Sequence, residues 1–476
     1  MVDAATVLAG LWQAAGCAPE ALERLSLTGR DPILPGRFKV GTAALASIGA
    51  SALAAAECWR LRTGRAQPVS VEIRAAAAAF RSERYLRVDG QPPADPWSPL
   101  SGFYRAGDGR WMQLHCNFPH HRDGVLRVLG CEASREAVGA AILRWQAATL
   151  EDALAEAGMC AGMVRSAEEW AAHPQARAVA SLPLLEIVRI GDSPPEPCGD
   201  GLRPLSGLRV LDLTRVIAGP VCGRTLAAHG AEVMLVTAGH LPSIPLLVMD
   251  TGRGKLSAFL DLRRAEEAGC LRRLIGEADI FCQGYRPGAL DGRGLSPEEV
   301  AALRPGIVYV TLSAYGQAGP WRGRRGFDSL VQSVSGIAHE GGVAAGIEGP
   351  RPLPAQALDH ATGYLAAFGA MVALLRRARE GGSYLVRLSL ARTGRWIDGL
   401  GRVDGALARD LRPEDVADLM EPSDTPFGLM QAVAPAEHLA ETPARWARPA
   451  VPLGTHEPAW PRYEGAEKGL SASLAP

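Results

Sequence analysis

Apolar positions along the chain keep two rhythms, one of helices and one of strands. Residues 1–37 predict a helix or two, ending at the Pro32–Pro35 turn. Residues 42–62 read as a helix of mostly small residues, closed by Thr63-Gly64. Val69, Val71 and Ile73 alternate as strand residues do, and an alanine-rich helix follows from about Arg74.

The texture changes over residues 85–190. The turn Tyr104–Gly109 leads into a strand at Trp111–His115, and helices are expected near 121–129, 134–146, 150–157 and 167–180. Met163-Val164 reads as a short strand, and Pro194-Pro195-Glu196-Pro197 as a linker. From Gly207 the chain alternates near-continuous apolar strands with helices. Strands are expected at 208–213, 232–236, 258–262, 280–282 and 307–312. Strands of that kind, separated by helices, predict a mostly parallel, doubly wound α/β sheet. The resulting domain reading is a helical and helix–strand unit over 1–84, a smaller α+β domain with linker over 85–200, a sheet domain over 201–400 and a tail over 401–476.

A long helix is expected from Asp359 to about Arg379, then Gly381-Gly382, then a strand at 385–390. This order repeats that of residues 42–73. With Gly64 set against Gly381, Val69-Ser70-Val71 falls on Val386-Arg387-Leu388, and Asp359 falls opposite Thr42. The chain therefore reads as carrying a diverged internal duplication in which only the second copy has the carboxylate.

Composition narrows the function. With 47% apolar and 21% charged residues among 476, the chain is expected to fold. Fifty basic and 51 acidic side chains leave a net charge of −1, so no global field favours nucleic acid or an anionic membrane. Nine dispersed cysteines without a CxxC pair fit reduced thiols in a cytoplasm, and the first residues lack the basic start of a signal peptide. Val40–Ala56 is uncharged but short for a membrane span and reads as a core helix.

Several segments could carry chemistry, each against a plainer reading. Val216-Ile217-Ala218-Gly219-Pro220 follows the first strand of the sheet, where ligands bind in such folds, or is a simple turn. It is not GxGxxG, so a dinucleotide fingerprint is poorly met. Arg253 and Lys255 on a glycine-flexed loop could approach phosphate, or face solvent. Gly284-Tyr285-Arg286 could hold an adenine or a phosphate, or be a Pro-Gly turn. Asp359 could be a helix N-cap, or a carboxylate kept ionised by the helix dipole and backbone N–H groups and able to attack a thioester. His115-Cys116 with His120-His121 fits no common zinc spacing, and the adjacent histidines are expected to face solvent, so no metal is expected.

Six stretches, in order, are similar to the family III CoA-transferases, which include formyl-CoA and carnitine CoA-transferases. They are LSGLRVLDLTRVIAGPVCGRTLAAHGAEVMLV, GRGKLSAFLDL, YRPGALDGRGLSPEEV, RPGIVYVTLSAYGQAGPW, GFDSLVQSVSGIAHE and ALDHATGYLAAFGAMVALLRR, covering about 205–400. Residues 40–190 look like the family's later portion, here placed first, so the chain resembles a rearranged, partly duplicated member. The resemblance implies a Rossmann-like sheet, a nucleophilic Asp359, and a CoA site along Val216, Lys255 and Tyr285. Ala218, Arg253, Gly284 and Arg286, in or beside the same motifs, are implied as further CoA-binding residues. Thr237 and Gly284 stand where the family often has Glu and Asn.

What it implies of the reaction is transfer of CoA from an acyl-CoA to a carboxylic acid, through aspartyl anhydride and aspartyl-CoA thioester intermediates. The alternatives are an acyl-CoA racemase, whose histidine is replaced here by Phe327, and a non-catalytic acyl-CoA-binding protein. The family's interlocked dimers imply a homodimer. The extra N-terminal unit leaves a monomer open.

Overall fold

The computed structural model describes residues 3–197, 199–403 and 408–461. Cys198 and the end of the expected tail lie outside them. Seven strands form the main sheet: β1 Glu186–Gly191, β2 Arg209–Leu213, β3 Glu232–Thr237, β4 Lys255–Phe259, β5 Ile280–Gln283, β6 Val308–Ser313 and β7 Ser383–Ser389. Their order is β4-β3-β2-β5-β6-β7-β1. Neighbours from β4 to β7 pair in parallel, and β1 closes the edge antiparallel to β7.

Successive residues of the strands enter opposite layers of core. Val210, Ile280, Val308 and Val310 pack on one face, and Leu211, Phe281 and Tyr309 on the other. Both faces are therefore dry, which is why these strands read as continuous apolar runs. One layer is built on three helices: α1 Val40–Thr63, α2 Ala218–Ala228 and α3 Ala357–Glu380. The other holds the helices Ala265–Gly276 and Pro297–Leu303.

Helices α1 and α3 are the expected duplicate pair. Each has 24 residues and ends on glycine, and a strand and a further helix follow each. Gly64 sits at φ 74°, a conformation that ends a helix without the cost a Cβ would add. The two helices pack against each other. Both are long and apolar enough to cross a membrane, and both are buried inside the protein.

A second, smaller layer is the antiparallel sheet Gly102–Arg105, Trp111–Leu114 and Ala161–Met163 with its own apolar cluster around Met112, Leu114, Val125 and Leu150.

Three expectations change. A strand at Leu25–Thr28, absent from the sequence reading, pairs with Val69–Glu72. The segment Glu186–Gly191, placed in the smaller α+β portion, is edge strand β1 of the main sheet. The tail is built into the body: Gly428–Val433 pairs with Arg87-Val88, and Glu437–Leu439 pairs with Val69–Val71. Edge strands recruit whatever segment can satisfy their free N–H and C=O groups, and short strands of mixed polarity give little periodic signal.

Candidate functional site

The parallel strand order reverses between β2 and β5, and ligands in such sheets bind outside the carboxyl ends of strands at that point. Three cavities open there. One, of about 260 Å³, is lined by Asp359, Phe327, Val216, Glu83, Trp97 and His115 among others. It shares Val216, Ile244 and Leu247 with a second, narrower cavity that reaches Thr214 and Thr237. Thr237 in turn lines a third, of about 250 Å³, with Tyr285, His240, Arg263 and Arg293. The three form a row from Asp359 past the ends of β2, β3 and β5.

Val216 sits at the junction with φ 75°, a conformation that a β-branched residue adopts only under strain. The turn is held from both ends. Asp212 on β2 accepts from Thr214 N–H through one oxygen at 3.0 Å and from the Lys255 ammonium through the other at 2.8 Å. The same ammonium donates to Pro220 O at 2.8 Å, tying β4 to the start of α2. Gly363 lets α3 come close: a Cβ there would lie 2.5 Å from Ala218 O and 2.7 Å from Val221 Cβ. The strained turn and Asp359 thus face one cavity because a buried ion pair and one missing methyl group bring them there.

Asp359 is the third residue of α3 and 6% exposed. It is not the N-cap, which is Gln356. Its N–H donates to Asp328 Oδ2 at 2.8 Å, and Asp328 Oδ1 also receives the Gln332 amide. Burial raises the Asp359 carboxyl well above the usual carboxylate range, and the charges of Asp328 and Glu83 add to the effect. Burial likewise pushes Asp328 up to about 6, against the hydrogen bonds it accepts. The expectation that the helix start holds Asp359 ionised is therefore reversed. Its backbone N–H is committed to Asp328, and desolvation outweighs the dipole. The result is a carboxyl that keeps its proton more tightly and is a more basic nucleophile once it loses it.

The other sequence candidates separate into four groups. Val216 and Tyr285 line the cavities, and burial raises the Tyr285 phenol. Ala218 is buried as the first residue of α2. Gly284 and Arg286 are exposed in the turn after β5. Arg253 and Lys255 line none of these three cavities. Arg253 is 3% exposed, paired with Asp250 at 2.9 Å, bonded to Val433 O at 2.7 Å and laid over Trp446. Lys255 is 2% exposed and paired with Asp212. Buried charges need partners, and these two found them inside the protein rather than on a ligand.

The sequence reading missed contributions from the first part of the chain. Glu83 lies 3.3 Å from His360 Nε2, and Trp97 and His115 stand on the same wall as Asp359. Of the two adjacent histidines, His120 is exposed but His121 is buried, with Nε2 3.0 Å from Arg325 and 3.7 Å from Cys160 Sγ. Only histidine placement near a strand end hinted at any of this.

Known proteins give the arrangement a context. The chain is 31% identical over 322 residues to the acetyl-coenzyme A transferase nodX of Hypoxylon pulicicidum, covering 63% of this chain and 54% of that one. It is 34% identical over 204 residues to a succinyl-CoA–D-citramalate CoA-transferase of Chloroflexus aurantiacus, covering 40% and 49%. A crystal structure of a Mycobacterium tuberculosis protein matches at 31% identity over 42% of this chain and 58% of that one, with a TM-score of 0.37. The chain thus spans about half the length of the curated relatives it matches. The model of CoA-transferase family III matches residues 25–185 and 205–400, the two segments that together line the Asp359 cavity, and the chain belongs to that family.

Proposed function

We propose that this protein is a CoA-transferase that moves CoA from an acyl-CoA to a carboxylic acid, with Asp359 as the nucleophile. The observation that carries the reading is a buried carboxyl of raised pKa on the wall of a cavity that continues along the carboxyl ends of the parallel strands. We read those strands as a doubly wound, Rossmann-like sheet, with the adenine end of CoA near Tyr285 and the thioester near Asp359. The similarity to an acetyl-coenzyme A transferase and to a succinyl-CoA–D-citramalate CoA-transferase supports this reading.

The chemistry runs in two halves. Ionised Asp359 attacks the acyl carbonyl carbon, the C–S bond breaks, and CoA thiolate and a mixed anhydride result. The thiolate attacks the aspartyl carbonyl, releasing the donor acid and leaving an aspartyl-CoA thioester. The acceptor carboxylate attacks that thioester to form a second anhydride and free the thiolate. Thiolate attack on the new acyl group then gives product acyl-CoA and regenerates Asp359. Covalent capture avoids direct attack between dissolved carboxylate and thioester. Holding both groups in one cavity supplies proximity, worth ~7–11 kcal/mol in well-oriented cases. Phe327 carries no transferable proton, so this wall lacks a partner for racemisation at that position.

The cavity wall draws residues 83–117 and 216–359 from a single chain, so we infer that one chain holds a complete site. Light scattering decides between a working monomer and a homodimer.

The test is mass spectrometry after incubation with acetyl-CoA or succinyl-CoA and hydroxylamine. A hydroxamate at Asp359 is expected. Its absence with every thioester tried, or its appearance at another residue, rejects the reading.

A further inference from the structure

His115 follows the strand Trp111–Leu114 and stands on the wall of the Asp359 cavity. Its N–H donates to Cys160 O at 2.9 Å, which fixes the backbone. Its ring lies flat on Phe327, with centroids 3.8 Å apart and 10° between planes, and the Trp97 ring meets it edge-on at 5.9 Å. Phe327 immediately precedes Asp328, whose carboxylate binds the Asp359 N–H. A stacked pair and one hydrogen bond thus connect the imidazole to the nucleophile's helix turn.

The ring is 4% exposed, and its Nδ1 has no hydrogen-bond partner. A buried polar atom left in that state costs ~1–3 kcal/mol. Nδ1 is buried away from the cavity that His115 lines with Asp359, and Nε2 is the ring nitrogen left open to it.

We propose that His115 is a second catalytic residue, whose Nε2–H binds the acyl carbonyl oxygen under attack by Asp359 and stabilises the charge that builds on it. This rests on the CoA-transferase reading. As the aspartyl oxygen bonds to the carbonyl carbon, the C=O π pair moves onto oxygen, and the imidazole donates a hydrogen bond to it. No proton leaves the ring. When the carbonyl re-forms, the C–S bond breaks and its electron pair leaves with the thiolate. The same donor serves the last step, when the thiolate attacks the new acyl carbonyl.

The charge state suits this role. Burial lowers the His115 imidazole to about 4, so it is neutral at physiological pH. An imidazolium beside Asp359 would pair with its carboxylate and blunt it. A neutral N–H binds a developing oxyanion without competing for the nucleophile.

The experiment compares His115→Phe, which keeps a flat ring against Phe327 but has no N–H, with His115→Gln, which offers an amide N–H. Single-turnover acylation of Asp359 by succinyl-CoA is measured with hydroxylamine trapping, and CoA binding by calorimetry. The phenylalanine variant should acylate about 100-fold more slowly with CoA affinity unchanged, and glutamine should recover at least about tenfold of that loss. Acylation by His115→Phe within about threefold of the wild type overturns the proposal, as does an equal loss in both folded variants. His115→Leu serves the same comparison if the phenylalanine variant does not fold. Failure of the wild type to acylate at Asp359 is a different result: it removes the transferase reading, and this proposal with it.

Discussion

Asp328 Oδ2 accepts a hydrogen bond from the backbone N–H of Asp359 at 2.8 Å. The first copy of the unit makes the same clasp without the nucleophile: Asp31 Oδ2 accepts from Thr42 N–H at 2.7 Å and from its hydroxyl at 2.8 Å. Thr42 and Asp359 are each the third residue of a 24-residue helix. The clasp is thus a structural device common to both copies. In the second copy the acid of the clasp also adds to the rise that burial imposes on Asp359.

That neighbour shifts the pH dependence of the reaction. Acylation needs ionised Asp359, so its rate rises with pH through the raised value. Asp328→Asn keeps an oxygen to accept the Asp359 N–H and removes the repelling charge. The rising limb of the pH profile should move to lower pH in this variant, measured by single-turnover acylation from pH 5 to 9. A limb that stays in place shows that burial alone sets the value.

Stability should move with pH in a defined direction. Asp328 binds its proton more tightly folded than unfolded, its value rising from 3.8 to about 6. Its stabilising contribution is full below the ordinary value and declines as pH rises through that window. Two units correspond to about 3 kcal/mol at most. Asp328→Asn lacks this decline, so its melting temperature should gain on the wild type between pH 4 and pH 7. The same sign holds for Asp359→Asn, which should also abolish transfer.

Lys255 should prove to be a stability residue rather than a phosphate ligand. Lys255→Met leaves Asp212 buried without its cation, which costs ~3–5 kcal/mol. The expected result is a large drop in melting temperature. A folded variant of normal stability that has lost only CoA affinity would return Lys255 to the ligand site.

Gly363→Ala tests the approach of α2 to α3. The added Cβ meets Ala218 O at 2.5 Å, and overpacking of this kind costs ~1–3 kcal/mol. Transfer should fall along with the melting temperature, because the helices carrying the strained Val216 turn and Asp359 are forced apart. Unchanged activity would show that the helices part without disturbing the site.

The periodicity of the chain read well wherever burial on both faces left a strong signal. The strands around 210, 234, 281 and 310 and the paired long helices appeared near their predicted places. Glu186–Gly191 was misplaced because an edge strand of mixed polarity, half-buried and partly exposed, looks like linker. Asp359 and Val216 could be found from motif and position. Arg253 and Lys255 could not be excluded, since a cation in a glycine-rich loop looks the same whether its partner is a ligand or a buried aspartate.

The sequence by itself determined the α/β alternation, the two matching helix–glycine–strand runs and the aspartate at the start of a long helix, because these follow from local periodicity and chain order. Only the tertiary structure decided which residues meet that aspartate. Glu83, Trp97 and His115 are more than 240 positions away along the chain, and Asp328 reaches it across a separate helix. Protonation followed the same rule. Desolvation and neighbouring charge are set by what packs around a group in space, and no spacing along the chain records them.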